Sequence, residues 1–309
     1  MKNRTLVILY LGLAFGLAWL IALPLWLSDG LRNPWFPLIA ILFMCTPALA
    51  ALTVVFFVER PAAKWTSLGI VPLRPPGRLI KYLVLALVIP PALVIAALPV
   101  GAFLGVYPAD FVEFSAYKQL IEGELEAVGM TALPAPIQLL VAAQLFNVIL
   151  GAFLNLIPAL GEELGWRGWL LPKLMGLGAV PAILVSGVIW ALWHAPLILL
   201  GYNYPGVPGW LGVVMMIGMC TIVGAIFSWL RLRSESVWPA ALAHGAFNSA
   251  AGFSLIFAAA GERFDTVNAT ILGWSGWILP IAVVITLFAT GQFSKRKAPA
   301  IPVHSTQSE

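Results

Sequence analysis

The sequence predicts an all-α membrane protein, a polytopic bundle of about eight transmembrane helices. Of its 309 residues, 61% are hydrophobic and 10% are charged, whereas soluble domains carry about 25% charged residues. The apolar residues form long runs, and a helix needs roughly 20 of them to cross the hydrocarbon core. The basic residues stand at the ends of these runs, so the net charge of +4 indicates no nucleic-acid partner.

Eight runs are long enough to be transmembrane helices, and their boundaries carry an uncertainty of a few residues. The runs are 5–28, 35–58, 80–105, 136–160, 178–200, 210–231, 237–260 and 268–290. The first follows Lys2 and Arg4 and resembles a signal peptide. It is long and has no clear small-x-small cleavage site, so we expect a retained first helix. One transmembrane domain over 1–291 and a disordered cytoplasmic tail over 292–309 are predicted.

The charges flanking these runs predict that both termini are cytoplasmic, because cytoplasmic loops are enriched in lysine and arginine. With the N-terminus inside, the outer segments hold three basic residues, Arg32, Lys118 and Arg263. The inner segments hold the others: Lys2, Arg4, Arg60, Lys64, Arg74, Arg78, Lys81, Arg167, Lys173, Arg231, Arg233, Lys295, Arg296 and Lys297. A retained signal-like helix suits a bacterial plasma membrane.

Two loops differ from the rest. Residues 59–79 are basic and rich in proline, which suits a surface facing anionic lipid. Residues 109–128 are acidic, with apolar residues at helical spacing. They predict either an amphipathic helix on the outer interface or an ordinary packed loop helix.

Ionisable residues at membrane depth are costly and indicate function. The first group is Gly161-Glu162-Glu163-Leu164-Gly165-Trp166-Arg167. Glu163 and Arg167 are four residues apart and can pair on one helix face. Glu162 then points about 100° away and keeps a free carboxylate. Solvated charges at a cytoplasmic helix end are the alternative.

Two histidines and an asparagine form the other polar groups inside apolar runs. His194 ends Trp190-Ala191-Leu192-Trp193-His194, and His244 and Asn248 share a face of the seventh run. Each alone fits a helix-packing hydrogen bond. Together with Glu162 they can activate water, with the carboxylate as general base. The histidines and asparagine would stabilise an oxyanion or hold a metal such as Zn²⁺. The sequence leaves that choice open.

The ordered pattern Glu-Glu-x-x-x-Arg, aromatic-x-x-x-His and His-x-x-x-Asn resembles the CPBP family of CAAX-protease and bacteriocin-processing (Abi-type) membrane proteins. These are related to the type II CAAX prenyl endopeptidase. The matched stretch runs from about 136 to 255. The resemblance implies that Glu162 activates water, that Glu163 and Arg167 support it, and that the catalytic site also contains His194, His244 and Asn248. It also implies a site open toward the cytosol. Trp190 stands where the family usually has Phe, with no expected loss of chemistry.

Other intramembrane protease signatures fit poorly. The chain has no His-Glu-x-x-His, so a zincin-type site is excluded. It has no Gly-x-Gly-Asp, which disfavours an intramembrane aspartyl protease. Gly-Trp-Ser-Gly at 273–276 mimics the rhomboid nucleophile motif, but the one later histidine is His304 in the tail. Cys45 and Cys220 lie in apolar runs, which predicts neither a disulfide nor a cysteine metal site.

The sequence therefore predicts an intramembrane endopeptidase acting near the cytoplasmic side on a membrane-associated peptide, prenylated or leader-type. A metal held by Glu162, His194, His244 and Asn248 and a metal-free glutamate mechanism both remain open. The alternative is a non-catalytic scaffold, immunity factor or transporter. The predicted helix starts place His194 and His244 roughly 13 Å apart in depth, at 1.5 Å per residue. Either these helix starts are wrong, or one helix is tilted or begins in a longer cytoplasmic extension; a true difference of this size would break the site.

Overall fold

The computed structural model describes residues 3–73, 75–130 and 132–293. The all-α prediction is confirmed, since regular structure in these residues is helical apart from one isolated bridge between Ala109 and Ala258. The α-helices are α1 (Asn3–Trp26), α2 (Phe36–Met44), α3 (Thr46–Thr53), α4 (Lys64–Ser67), α5 (Pro76–Phe103), α6 (Ser115–Ala127), α7 (Ile137–Leu154), α8 (Leu156–Glu163), α9 (Leu171–Leu174), α10 (Ala179–Trp193), α11 (Ala195–Ile198), α12 (Gly209–Ser234), α13 (Trp238–Ala250), α14 (Phe253–Ile256) and α15 (Ile278–Ala289). Val54–Glu59 and Leu164–Leu170 are π-helical. From residue 294 on, the predicted tail lies outside the described residues.

Five helical segments are long and apolar enough to cross a membrane. They are Asn3–Trp26, Phe36–Glu59, Pro76–Phe103, Ile137–Leu154 and Gly209–Ser234. Ala179–Trp193 and Trp274–Ala289 are shorter apolar helices. An integral membrane helix bundle follows from these segments, while the count of eight crossings stays a prediction.

Several predicted runs are not continuous helices: 35–58 is interrupted at Cys45, 178–200 at His194, and 268–290 is helical only from Trp274. Two further breaks have a visible local cause. The run 136–160 breaks at Asn155, whose side-chain amide donates to the Gly151 carbonyl 2.9 Å away and closes α7. The run 237–260 breaks after Ala250, where Ala251 and Gly252 form an exposed turn. Hydropathy missed both breaks because the residues on either side stay apolar.

Chain segments meet at two opposite ends of the bundle. At the first, the Val237 amide donates to the Gly69 carbonyl at 2.9 Å, and the Asn3 side chain donates to the Lys173 carbonyl at 3.0 Å. We call this the basic end, because most described basic residues lie there: Arg4, Arg60, Lys64, Arg78, Lys81, Lys173, Arg231 and Arg233.

The second end is acidic. Here the Asp110 amide donates to the Phe257 carbonyl at 2.8 Å, and the Thr266 hydroxyl donates to the Asn203 carbonyl at 2.8 Å. The acidic end carries Asp29, Asp110, Glu113, Glu122, Glu124, Glu126, Glu262 and Asp265. Helix α6 lies here with no buried residue, within the segment predicted to be an interfacial or loop helix.

Glycines bring the backbones around the future site into contact. A Cβ on Gly161 would lie 2.9 Å from the Met44 carbonyl oxygen, and one on Gly165 would lie 2.5 Å from the Tyr10 hydroxyl. On α13, a Cβ on Gly245 would lie 2.6 Å from the Ala152 carbonyl oxygen. Small residues at such positions allow close helix approach in membranes. This packing fixes the direction in which the side chains beside each glycine point.

Candidate active site

A cavity of about 380 Å³ lies within the bundle. Its lining includes the four predicted catalytic residues, Glu162, His194, His244 and Asn248. They come from α8, from the end of α10 and from α13, so the fold brings three separate motifs together. Glu163 and Arg167 do not line the cavity and are fully buried beside it.

Glu162 is the second-last residue of α8, just before the π-helical segment. It is 2% exposed, and its Oε2 accepts a hydrogen bond from the Trp190 indole nitrogen at 2.7 Å. Sequence reasoning treated Trp190 as an apolar equivalent of phenylalanine and missed this contact. The indole N–H was the available signal, because a buried tryptophan usually finds an acceptor.

The Glu163 carboxylate holds two partners through one oxygen. Its Oε1 accepts from Arg167 Nη1 at 2.9 Å and lies 3.0 Å from His244 Nδ1. The predicted pairing of Glu163 with Arg167 is therefore present, and all three side chains are buried. Because an ionised carboxylate only accepts, we assign the proton to His244 Nδ1. His244 Nε2 is then the ring nitrogen available to the cavity.

The Arg167 guanidinium lies against two aromatic rings. Its central carbon is 4.4 Å from the centroid of Trp190 and 5.5 Å from that of Phe227. Aromatic faces attract such a cation, more so when it is desolvated. A Cβ on Gly224 of α12 would lie 2.6 Å from Arg167 Nη2, so the glycine leaves room for the guanidinium. Sequence analysis assigned no role to Gly224 or Phe227.

His194 caps the end of α10 and is oriented by its own helix. Its Nδ1 lies 2.9 Å from the Trp190 carbonyl oxygen, which can only accept, so we place a proton on Nδ1. Nε2 is again free. The Trp190 ring lies between the two histidines, with centroids 5.8 Å from His194 and 5.4 Å from His244.

The two histidines stand at different distances from the starts of their helices. His194 is the sixteenth residue from the start of α10, and His244 the seventh from the start of α13. Both line one cavity. Asn248 lies one turn beyond His244 on the same face of α13.

The metal hypothesis needs clustered donors. Within the part of the chain that the structure describes, no three His, Cys, Asp or Glu side chains are grouped to hold a metal ion. The Trp190 ring packs against both histidines and its indole N–H donates to Glu162, so these three side chains are not grouped as zinc ligands. Cys45 and Cys220 are both unpaired thiols.

The rhomboid-like sequence at 273–276 takes no part in the site. Ser275 is fully buried in a 3-10 turn before α15 and does not line the cavity. A Cβ on Gly276 would collide with the Thr270 carbonyl oxygen, so this glycine permits a tight chain contact. His304 lies outside the described residues. The geometry agrees with a structural turn.

The cavity extends toward the acidic end. Its lining there comes from the connections after α11 and α14, namely Tyr202, Asn203, Thr266, Thr270, Ile271 and Leu272. Tyr202 and Asn203 are partly exposed, and Ala251 on the same wall is exposed. In the opposite direction, the π-helical segment Leu164–Leu170 is entirely buried.

Comparison with known proteins addresses the resemblance. Residues 143–250 match the family model described as "Rce1-like: Type II CAAX prenyl endopeptidase Rce1-like". A similar protein is CAAX prenyl protease 2 of Methanococcus maripaludis, 32% identical over 88 residues, which are 27% of this chain. The chain spans about a third of the length of this curated relative, 32%. All six predicted site residues lie within 143–250, so the segment that is similar to this family model is the one that carries the candidate site.

Proposed function

We propose that the protein is an intramembrane endopeptidase that hydrolyses a peptide bond of a membrane-associated substrate, prenylated or leader-type, in a bacterial plasma membrane. One observation carries the proposal. Of two adjacent buried carboxylates, Glu163 is paired with Arg167 and His244, while Glu162 lines the cavity without a cationic partner. A carboxylate that is not neutralised remains available to accept a proton.

In this mechanism Glu162 takes a proton from water, and the hydroxide attacks the carbonyl carbon of the substrate. The negative charge moves to the carbonyl oxygen. The Asn248 amide and a doubly protonated His244, balanced by Glu163, donate hydrogen bonds to this oxyanion. Preorganised donors in a water-poor site stabilise such charge strongly.

The tetrahedral intermediate then collapses, and the C–N bond breaks. The leaving amine takes up a proton, delivered by Glu162 or through His194. His194 is suited to this step or to orienting the water, because its Nδ1 is occupied by the Trp190 carbonyl and its Nε2 is free. The proposed mechanism uses no metal ion.

The test is cleavage of fluorogenic CAAX-type and leader-type peptides by the purified protein in lipid. Glu162→Gln keeps the side-chain volume and removes the base, and we expect a loss of about 10²–10⁴-fold. The matched control is Glu235→Gln, at the exposed surface pair with Arg78 on the basic end. A chelator arm should leave the rate unchanged.

Cleavage that persists in Glu162→Gln would refute the assignment of the base. Chelator-sensitive cleavage would restore the metal mechanism. If the wild-type protein cleaves no peptide while remaining folded, the non-catalytic alternative of a scaffold, immunity factor or transporter becomes the better account.

A further inference from the structure

Asn155 is a polar residue of the cavity wall that has no part in the mechanism above. Its side chain lines the same cavity as Glu162 and is partly buried. Close packing of α7 against α13 fixes its place, since a Cβ on Gly245 would lie 3.3 Å from the Asn155 carbonyl carbon. Gly245 directly follows His244 and stands one turn before Asn248 on α13. The contact therefore brings Asn155 beside the two proposed oxyanion donors.

The orientation of the Asn155 carboxamide is set by the helix end that it closes. Its Nδ2 donates to the Gly151 carbonyl at 2.9 Å. The reversed orientation would place two acceptor oxygens at that distance, so the nitrogen faces Gly151 and Oδ1 points away from it. Within the described residues, Oδ1 accepts no hydrogen bond from the protein. It is an acceptor available to a molecule in the cavity.

Other neutral side chains on the wall have their hydroxyl groups engaged locally. The Thr266 hydroxyl donates to the Asn203 carbonyl at 2.8 Å, and the Thr270 hydroxyl accepts from the Leu272 amide at 3.3 Å. The groups that would stabilise the oxyanion are donors. A peptide that enters the cavity also needs acceptors, because each of its N–H groups gives up a hydrogen bond to water and is costly to leave unpaired. Asn155 Oδ1 meets that need.

The spacing along α8 relates this acceptor to the proposed base. Glu162 follows Asn155 by seven residues, which are two helical turns, so both side chains are on one side of the helix. At 1.5 Å per residue they are about 10 Å apart along its axis. An extended peptide advances about 3.3 Å per residue and spans that length in about three residues. A peptide with its scissile carbonyl at Glu162 therefore brings a more distant N–H to Asn155.

We infer that Asn155 Oδ1 accepts a hydrogen bond from a backbone N–H of an extended peptide substrate, about three residues from the scissile bond. The inference rests on the proposed function and adds a substrate-binding residue to that site. The contact recognises the peptide backbone and no particular side chain. It would hold peptides of different sequence in one register relative to Glu162.

An N-methyl scan tests the contact. Each backbone N–H of a CAAX-type or leader-type fluorogenic peptide is methylated in turn, and kcat/KM is measured with the wild type and with Asn155→Ser. The serine hydroxyl can donate to the Gly151 carbonyl, as the Ser228 hydroxyl donates to the Gly224 carbonyl at 2.7 Å, so the end of α7 is retained while the carboxamide oxygen is removed. The matched control is Asn147→Ser, an exposed residue of the same helix that does not line the cavity.

We expect methylation at one position to lower kcat/KM of the wild type about 3- to 10-fold more than that of Asn155→Ser, the loss of one neutral hydrogen bond. The effect should be mainly on KM, because the contact is present both before and during the reaction. Asn147→Ser should show the wild-type pattern. If Asn155→Ser lowers the rates for all peptides by one factor and no position is singled out, Asn155 is only structural and the inference is overturned.

Binding measurements separate this inference from the peptidase proposal. The same scan is repeated as peptide Kd by fluorescence anisotropy with Glu162→Gln, with and without Asn155→Ser, so that no hydrolysis is needed. A position-specific effect on Kd together with no cleavage by the wild type would reject the peptidase function and retain the Asn155 contact. Equal effects at all positions, or no binding of any peptide, would overturn the contact itself.

Discussion

Replacing Trp190 by phenylalanine should change how the proposed peptidase depends on pH. The substitution keeps a large ring beside Arg167 and removes one atom group, the indole N–H that donates to Glu162 Oε2 at 2.7 Å. That bond favours the ionised carboxylate and fixes its rotamer. Phenylalanine is the residue that the family usually has here, so the variant should fold.

The magnitude follows from the type of bond that is lost. A hydrogen bond to a charged group contributes about 1.5–3 kcal/mol, and about 1.4 kcal/mol corresponds to a factor of ten. We expect kcat/KM of Trp190→Phe to fall about 10- to 100-fold on the acidic side of the pH profile. The loss should shrink as pH rises, because Glu162 is then ionised in both proteins. KM should change little.

The assay is the full pH profile of kcat/KM with a fluorogenic peptide, measured beside Trp193→Phe. Trp193 is on the same helix and lines the same cavity, but its indole donates to the Thr46 hydroxyl at 3.1 Å. Its substitution removes a comparable buried hydrogen bond without touching Glu162. If both variants show the same profile as wild type, scaled by one factor at every pH, Trp190 has only a structural role and the reasoning fails.

The remaining predictions concern the buried ion pair, the glycine beside it and the entry to α6. Arg167→Ala should destabilise the protein by about 3–5 kcal/mol, because Glu163 is left buried without its cation; denaturant unfolding in detergent measures this, and Arg167→Lys should recover part of the loss. Gly224→Ala should lower the free energy of unfolding by about 1–3 kcal/mol and should also lower kcat, because the new Cβ would meet Arg167 Nη2. Its control is Gly12→Ala, whose Cβ meets no atom within 4 Å and which should leave both quantities unchanged. The Ser115 hydroxyl and three backbone N–H groups lower the pKa of Asp110 from 3.8 to about 2. The hydrogen bonds from Asp110 should therefore stabilise the start of α6 fully above pH 4, and this stabilisation should be lost as pH falls toward 2. Asp110→Ala should lose the same stabilisation at neutral pH, which limited proteolysis of this segment would detect.

Features that depend on local spacing were predictable from the sequence. Glu163 and Arg167 are one helical turn apart, and so are His244 and Asn248, which places each pair on one face whatever surrounds it. The positions of the basic residues in the sequence likewise predicted that one end of the bundle is basic. Helix ends were less predictable, because the breaks at Asn155 and after Ala250 interrupt runs that stay apolar.

Contacts between distant segments could not be predicted from one sequence. Trp190 and Glu162 are 28 residues apart, and their hydrogen bond depends on how α8 and α10 pack. The space that Gly224 leaves for Arg167 is a property of two helices that touch, and neither residue alone indicates it. The hydrogen bond from Trp190 to Glu162 and the space beside Gly224 for the Arg167 guanidinium are therefore features of the tertiary structure.

The side of the membrane served by the site depends on information that the family match does not contain. The match covers 143–250, the segment that contains Glu162, His194 and His244. The arrangement of these residues in the bundle is the same whichever end faces the cytoplasm. Orientation instead depends on basic residues along the whole chain, and several of these, such as Arg60, Lys64 and Arg78, lie outside the matched segment. The residues that form the site and the residues that orient the bundle are therefore largely different parts of the sequence.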